Sequence, residues 1–253
     1  MGLKVTVCCC TYRRPVLLSH MIECFQQQSY QNRHMVILDD SPCAVGASGD
    51  RWEIVTSARF PTLGAKRNAC AEMASDDTDA LVVWDDDDLY FPWALQATAA
   101  ALENADWSRP SEFLMLDDDY RLHKHETFSR EDRKDKCCQS SWGIRVDTFW
   151  NAGGYDKQLS MGEDKALALA IEGAAECDPI TLGYEPWYVF SPYHNVHLSD
   201  LIQEYNDFDG GVRNYRFVTL AALKMESALP RAEQRPWKTD WYGGMDATPI
   251  QKT

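Results

Sequence analysis

Four consecutive carboxylates, Asp85 to Asp88, follow an uninterrupted apolar run from Ala80 to Trp84. Such a run is typical of a parallel strand covered on both faces, and open α/β sheets bind ligands at the carboxyl ends of their strands. Four like charges repel each other unless water, basic side chains or a cation compensates them. The oxygen-binding ions Mg²⁺ and Mn²⁺ suit this role. The run therefore predicts a divalent-metal site, and a solvated acidic turn is the alternative.

Two other apolar runs also end in acidic residues. Met35 to Leu38 is followed by Asp39 and Asp40, and Phe113 to Leu116 is followed by Asp117 to Asp119. The carboxyl ends of parallel strands meet at one edge of a sheet, so one acidic crevice explains these ends better than three unrelated turns do.

Two predicted helix starts carry further candidate residues. Gly64 begins a helix with Lys66 and Arg67 in its first turn. Cations there oppose the helix dipole, so a nearby anionic ligand or a chance surface pair explains them. Glu163 and Asp164 begin another helix, where complementation of the dipole is the alternative to a catalytic role.

Two histidines follow a late predicted strand, Trp187 to Phe190. A lone histidine is usually structural or exposed. His194 and His197 lie within four residues of each other in an acidic protein, which raises the expectation of a metal ligand.

The elements that position these residues begin with a βαβ pattern. Lys4 to Thr11 reads as a strand, Pro15 opens a helix, and Met35 to Leu38 reads as a second strand. Short connections between them indicate a parallel sheet. Residues Cys43 to Asp50 are predicted to form a loop, and Trp52 to Val55 a third, weaker strand.

The rest of the chain continues the α/β pattern. The predicted elements are a helix from Pro92 to about Ala105, a mixed-charge loop from Arg121 to Lys136, a strand from Trp142 to Val146, a turn from Asn151 to Asp156 and a helix from Tyr215 to about Leu229. We therefore predict an α/β fold with a mostly parallel central sheet flanked by helices, followed by a helical or extended C-terminal arm.

Composition limits the class of protein. The chain has 253 residues, of which 45% are apolar, so it suits one large domain. No apolar run approaches the roughly 18 residues that a membrane span needs, and no signal peptide is recognisable. Nine cysteines without a CxxC pair fit free thiols in a reducing compartment. We expect a cytoplasmic protein without a transmembrane segment.

Charge argues against a general nucleic-acid-binding surface, because the net charge is −14. The segment Arg121 to Lys136 departs from this balance, since its six basic and four acidic residues give +2 and leave −16 for the rest. A solvated charged loop is the simplest interpretation of this segment.

In their order along the chain, these segments resemble family 2 glycosyltransferases, which have the GT-A fold. The resemblance covers roughly residues 4–200 and lies in six motifs. Val5–Pro15 resembles the family's opening strand and its Thr-Tyr-Asn-Arg-Pro element, with Arg13 where Asn is usual, and Leu38–Ser41 resembles Val-Asp-Asp-Gly-Ser. Gly64–Asn68 resembles Gly-x-x-x-Arg-Asn but is one residue shorter, and Trp84–Tyr90 resembles the Asp-x-Asp motif. Gly153–Asp156 resembles Gly-Gly-Phe-Asp, and Gly162–Asp164 resembles the Glu-Asp motif.

The resemblance implies a role for each matching residue. Asp164 would be the catalytic base beside Glu163, and Asp87 and His194 would hold Mn²⁺ or Mg²⁺. The donor, a nucleoside diphosphate sugar with UDP as the expected nucleotide, would be bound by Thr11, Tyr12, Arg14, Asp39, Asp40, Lys66, Arg67, Asp85 and Asp86.

The resemblance also implies the domain organisation. A GT-A domain would span residues 1–200, with a nucleotide-sugar-binding half at 1–105 and an acceptor and catalytic half at 106–200. Residues 201–253 would pack on it as a helix and tail.

The chemistry of glycosyl transfer suits these residue types. Displacing a nucleoside diphosphate builds negative charge on the leaving phosphate, which a divalent ion stabilises. The acceptor hydroxyl loses its proton during attack, and a positioned carboxylate can take it. A base facing the metal across the sugar implies inversion at the anomeric carbon.

Three alternatives stay open at this stage. The acceptor could be phosphorylated or a nucleic acid, such as a hydroxymethylated base in DNA, because Arg121 to Lys136 lies between the donor half and the Glu-Asp motif. A nucleotidyltransferase or metal-dependent phosphohydrolase would also use carboxylates at strand ends. A non-enzymatic sugar- or metal-binding module would use the acids only to hold calcium.

Overall fold

The computed structural model of the protein describes residues 2–116, 122–126 and 139–190. In this part of the chain there are twelve strands: β1 (Val5–Thr11), β2 (Arg33–Asp39), β3 (Ala47–Gly49), β4 (Trp52–Thr56), β5 (Ala80–Asp85), β6 (Leu89–Tyr90), β7 (Trp107–Ser108), β8 (Glu112–Leu116), β9 (Leu122–Glu126), β10 (Gly143–Arg145), β11 (Glu176–Cys177) and β12 (Tyr188–Phe190). The α-helices are α1 (Pro15–Gln26), α2 (Leu63–Glu72), α3 (Ala94–Leu102), α4 (Val146–Asn151) and α5 (Glu163–Ala170), and 3₁₀ turns lie at Gln139–Ser141 and Pro179–Leu182.

The larger sheet places the predicted strand ends side by side. Its order is β11-β7-β10-β5-β1-β2-β4-β3, and β1 runs parallel to both β2 and β5. Thr11 of β1 is opposite Asp39 of β2, and Cys10 is opposite Asp85 of β5. The carboxyl ends of β1, β2 and β5 therefore meet at one edge, which confirms the shared edge for two of the three predicted acidic strand ends, those of β2 and β5.

Burial on both faces explains the uninterrupted apolar runs of these strands. One face of β1, with Val5, Val7 and Cys9, belongs to a core cluster that also contains residues of α1 and α3. Cys8 on the other face belongs to a second cluster, which also contains Cys70 of α2. A central strand covered twice has no solvent face, so polar alternation is lost.

A four-stranded sheet, in the order β6-β12-β8-β9, supports the acidic run from the other side. The Tyr90 ring of β6 stacks on Trp84 with ring centroids 3.9 Å apart. The Tyr188 hydroxyl of β12 donates to Asp88 Oδ2 at 2.9 Å. The smaller sheet thus contacts Trp84, directly before the acidic run, and Asp88, its last carboxylate.

The predicted strands at Lys4, Met35, Trp52, Ala80 and Trp187 all form, within a residue or two of their expected bounds. The predicted helices at Pro15 and Glu163 also form, and the helix expected from Pro92 is the shorter α3. The mixed α/β fold with a large central sheet is therefore confirmed.

Other details differ from the predictions. The expected loop from Cys43 to Asp50 contains β3, an exposed edge strand paired antiparallel with β4. The expected mixed-charge loop contains β9. The strand expected at Phe113 to Leu116 forms as β8, but it lies in the smaller sheet and not in the sheet of β2 and β5, as the single acidic crevice had implied. Val146 begins α4 instead of extending β10. These features depend on which strands pair in the folded chain, and the local sequence pattern does not determine strand pairing.

Several predictions concern residues outside the described ranges. They are Asp117 to Asp119, His194, His197, the helix expected from Tyr215 and the C-terminal tail. Among the described residues, no helix has the length and apolar character needed to cross a membrane.

Asn68 ties α2 to the turn that precedes α5. Its side-chain amide donates to the Tyr155 carbonyl oxygen at 2.8 Å and accepts from the Tyr155 N–H at 2.8 Å. Asn68 is buried, so water cannot replace these bonds. Asn68→Ala would leave two buried backbone groups without partners, and we expect it to lower the free energy of unfolding by about 3 kcal/mol.

Urea denaturation measures this effect. Asn151→Ala, an exposed asparagine at the end of α4, is the matched control, and we expect it to stay within about 0.5 kcal/mol of wild type. Equal destabilisation by the two variants would show that the Asn68 pair does not hold the turn.

Candidate active site

A cleft of about 520 Å³ opens at the carboxyl edge of β1 and β5, next to the first turns of α2 and α5. Asp39 is not among the residues that line it, and His194 lies outside the described residues. The other predicted site residues line this one cleft: Thr11, Tyr12, Arg14, Asp40, Lys66, Arg67, Asp85, Asp86, Asp87, Glu163 and Asp164.

Arg14 compensates the middle of the acidic run. Its Nη1 donates to Asp86 Oδ1 at 2.9 Å and to Asp87 Oδ2 at 2.8 Å. The Thr11 hydroxyl donates to Asp86 Oδ2 at 2.6 Å. The Thr-Tyr-x-Arg segment after β1 therefore holds the end of β5 in place.

The pKa of Asp87 is raised in this arrangement, although Arg14 contacts its carboxylate. Burial and the charges of Asp86 and Asp85 raise its pKa to about 7, although Arg14 acts in the opposite direction. Burial is the largest cause, so this carboxyl group is protonated more easily than a solvated aspartate.

Arg67 joins the acidic strand end to α5. Its guanidinium donates to Asp85 Oδ1 at 3.0 Å and lies 3.3 Å from Glu163 Oε1. Ser140 donates to the other oxygen of Asp85. Burial raises the pKa of Asp85, but the charge of Arg67 and the bonds from Ser140 and Arg67 outweigh it, so the pKa lies below its ordinary value. Asp85 is thus a charged group with both oxygens engaged.

Asp40 organises a second ion-pair network. Its Oδ1 accepts from Lys66 Nζ at 2.6 Å and from Arg59 Nη1 at 2.9 Å. Its Oδ2 accepts from Arg59 Nη1 at 3.0 Å and from the Phe60 N–H at 3.0 Å. In this geometry Asp40 holds two cations and offers no spare oxygen to a ligand. Asp39 accepts from the Ser41 N–H at 2.9 Å.

These pairs give a different explanation for the cations in α2. The sequence left an anionic ligand or a chance surface pair as explanations for Lys66 and Arg67. Both side chains are instead nearly buried, and each neutralises carboxylates of the protein. The cost of placing cations near a helix N-terminus is offset by these pairs.

Glu163 and Asp164 differ in their surroundings although they are adjacent in α5. Glu163 is buried, and desolvation raises its pKa, while Arg67 acts in the opposite direction. Asp164 is partly exposed and lines the cleft, and within the described part of the chain its carboxylate makes no hydrogen bond or ion pair. Of the two acids of this motif, Asp164 is therefore the more accessible from the cleft.

Residues 6–153 match the sequence model of glycosyl transferase family 2, which is more than half of the 253 residues. The chain belongs to glycosyl transferase family 2. No curated protein matches it in sequence. The matched segment of this family 2 chain contains the Asp40 network and the acidic run, and it ends before Glu163 and Asp164.

Solved structures of S. aureus TarS 1-349 are similar to this family 2 chain, with 14% sequence identity in each case. The TM-score is 0.59 for TarS 1-349 and for its complex with UDP, and 0.61 for its complex with UDP-GlcNAc. The alignments cover 76–78% of this chain and 61–62% of the TarS chains, so the chain spans less than two thirds of their length. The likeness shows the fold, which is the GT-A fold.

The fit of a metal ion to this family 2 site depends on the donor set. Among the described residues, no three His, Cys, Asp or Glu side chains form a group that could hold a metal ion by themselves. Mg²⁺, however, usually takes one or two carboxylates and completes its shell with substrate phosphates and water. The described cleft lining has seven carboxylates and five cationic side chains, so a divalent ion would offset part of the repulsion between this lining and a diphosphate. Asp87 lines the cleft, and its carboxylate supplies oxygens of the type that Mg²⁺ binds.

Sequence reasoning missed three residues of this site. Arg59 holds Asp40, Ser140 holds Asp85, and Tyr188 holds Asp88. Arg59 lies before the predicted helix in a segment without a motif, and Ser140 follows the mixed-charge segment. No local signal marks them, because their partners are distant in sequence.

Proposed function

We propose that this family 2 protein transfers a sugar from a nucleoside diphosphate sugar to an acceptor hydroxyl, with inversion at the anomeric carbon. One observation carries the proposal: the acidic end of β5 and the partly exposed Asp164 of α5 line the same cleft. Glycosyl transfer with inversion requires such an arrangement, because in a single displacement the leaving diphosphate and the incoming hydroxyl lie on opposite sides of the reacting carbon.

The donor would lie along the edge of β1 and β5. Tyr12 and Arg14 follow β1, Asp85 ends β5 and Asp86 follows it, so these residues can contact the nucleotide and its diphosphate. The complexes of TarS with UDP and UDP-GlcNAc support UDP as the nucleotide, since the two proteins share the fold.

Asp87 would hold a divalent ion, Mn²⁺ or Mg²⁺, together with the donor phosphates. When bound, the ion supplies positive charge that stabilises the leaving diphosphate. Arg14, which contacts both Asp86 and Asp87, keeps the carboxylates in place before the ion and donor arrive. His194 remains a proposed second ligand.

Asp164 would accept the proton of the acceptor hydroxyl. Glu163 is buried against Arg67 and therefore acts as a positioning residue, because it fixes the first turn of α5 relative to Asp85. The two carboxylates of the Glu-Asp motif would therefore have different roles: Asp164 accepts the proton, and Glu163 positions the helix start.

A thermal-shift experiment tests the donor site. We expect UDP with Mn²⁺, at a hundredfold excess over its dissociation constant, to stabilise the protein by about 2.7 kcal/mol. For a domain of this size the melting temperature should rise by roughly 5–10 °C. The rise should disappear with chelator and in Asp87→Asn.

Asp147→Asn is the matched control, since Asp147 is an exposed carboxylate in the first turn of α4 and outside the cleft. It should retain the full shift. If UDP and the other nucleoside diphosphates give no shift with either ion, the proposed function is wrong. A shift that persists in chelator would refute only the metal requirement.

A further inference from the structure

Lys165 differs from the other cations that line the cleft. Each of those four lies within 3.0 Å of a carboxylate of the protein: Arg14, Arg59, Lys66 and Arg67. Lys165 is exposed and also lines the cleft, but within the described part of the chain its ammonium group makes no ion pair or hydrogen bond. Its positive charge is therefore available to a ligand.

The position of Lys165 in its helix does not account for this charge. Lys165 is the third residue of α5, and a cation at a helix N-terminus opposes the helix dipole. No acidic residue lies three or four positions from Lys165 in either direction, so no ion pair along the helix compensates it. Lys66 and Arg67, which are also unfavourably placed near the start of a helix, are both paired with carboxylates. Lys165 has no such partner among the described residues.

The neighbours of Lys165 place it on the acceptor side of the cleft. Asp164, the proposed base, precedes it directly, and both residues line the cleft. Met161, one turn earlier, lines the cleft as well and is 56% exposed. An acceptor whose hydroxyl reaches Asp164 therefore has an apolar surface and an uncompensated cation close to the same helix start.

The rest of the cleft lining is unfavourable for an anionic acceptor. Without Lys165, the described lining has seven carboxylates and four cations, and all four cations are already paired. A neutral sugar would need no further cation there, whereas an acceptor with a phosphate or a carboxylate would need one. Lys165 is the described cleft residue that can supply it.

We propose that Lys165 binds an anionic group of the acceptor, a phosphate or a carboxylate that lies near the hydroxyl presented to Asp164. The inference rests on the proposed function and names the class of acceptor. The transfer step itself is unchanged: the acceptor oxygen bonds to the anomeric carbon, its proton passes to Asp164, and the nucleoside diphosphate leaves.

Three sugars that differ only at carbon 6 test this inference: glucose, glucose 6-phosphate and glucuronate. Titration calorimetry measures their affinities for the protein saturated with UDP and Mg²⁺. We expect at least one anionic sugar to bind wild type about fivefold more tightly than glucose, as the upper range for an exposed charge pair predicts. The tighter of the two identifies the group as phosphate or carboxylate. Lys165→Gln should abolish the preference, Lys165→Arg should retain it, and the UDP affinity of both variants should change less than twofold.

Lys157→Gln is the matched control, since Lys157 is exposed and is not among the residues that line the cleft. This variant should bind all three sugars like wild type. Melting temperatures of the free variants check that each is folded.

The outcomes separate this inference from the proposed function. If wild type binds neither anionic sugar more tightly than glucose, or if the preference persists in Lys165→Gln, the inference is wrong and the proposed function stands. A loss of UDP affinity in Lys165→Gln would also overturn it, because that loss would assign Lys165 to the donor diphosphate. Failure of wild type to bind UDP or any other nucleoside diphosphate would overturn both.

Discussion

Asp164→Asn is expected to reduce the turnover number about a thousandfold while donor binding stays unchanged. A positioned general base contributes roughly 10²–10⁴ to the rate, and asparagine cannot accept the hydroxyl proton. Asp164 lines the cleft without an ion pair in the described structure, so its replacement breaks no pair there that stabilises the fold. Single-turnover kinetics with a saturating nucleotide sugar would measure the chemical step, and calorimetry would measure donor affinity.

The control for this experiment is again Asp147→Asn. Asp147 shares residue type and first-turn position with Asp164 but lies outside the cleft, so its variant should keep full turnover. If Asp164→Asn retains more than a tenth of wild-type turnover, Asp164 is not the base. Loss of donor affinity together with turnover would instead place Asp164 in the donor site.

Glu163 shows how the two residues of this motif can be told apart. Local pattern alone makes Glu163 and Asp164 equivalent, since both are acids in the first turn of a helix, and only the family resemblance singles out Asp164 as the base. Burial of Glu163 against Arg67 and partial exposure of Asp164 distinguish them. This difference arises from the position of Arg67 of α2 beside Glu163, which local pattern does not determine.

The position of the carboxyl ends of β1, β2 and β5 at one edge was predictable, because uninterrupted apolar runs indicate parallel strands that are buried on both faces. The apolar runs of β1, β2 and β5 have no solvent face, and their short connections leave few topologies, so their carboxyl ends were expected to meet. The large sheet confirms this expectation. The acids that follow β2 and β5 consequently lie near one another.

The internal pairing of charges was not predictable. Lys66 and Arg67 are adjacent in sequence, yet Lys66 contacts Asp40 after β2 and Arg67 contacts Asp85 at the end of β5. Successive residues of a helix point in directions about 100° apart, so neighbours serve different partners. The sequence could indicate that cations face the site, but the choice of partner depends on the rotation of α2 about its axis.

Lys66→Met is expected to lower the free energy of unfolding by about 3–5 kcal/mol, since it leaves a buried carboxylate with less compensation. The Lys66 and Asp40 side chains are only 5% and 0% exposed, and Lys66 Nζ also donates to the Thr11 carbonyl oxygen at 2.5 Å. Asp40→Asn should cost a similar amount, because it leaves the Lys66 cation buried. Lys4→Met, which breaks an exposed pair with Asp77, is the control and should change stability little.

The double variant Lys66→Met with Asp40→Asn tests whether the two side chains act as a pair. Its destabilisation should be smaller than the sum of the single effects by about 1–3 kcal/mol, because it leaves neither charge buried alone. Additive losses would show that the contact between Lys66 and Asp40 contributes nothing of its own.

The pH dependence of stability supplies an independent test of the same network. Burial alone would raise the pKa of Asp40. The hydrogen bonds from Lys66 and the Phe60 N–H and the charges of Lys66 and Arg59 lower it by more than burial raises it, so the folded-state pKa lies below its ordinary value. The stability contributed by the carboxylate is therefore complete above about pH 4, the pKa in the unfolded chain, and is lost as pH falls towards the folded-state pKa. Urea denaturation should accordingly show a constant difference between wild type and Asp40→Asn from neutral pH to about pH 5, and a shrinking one in stronger acid. A difference that instead grows as the solution is acidified would mean that the native fold favours the protonated form of Asp40, and the ion-pair account of this network would be wrong.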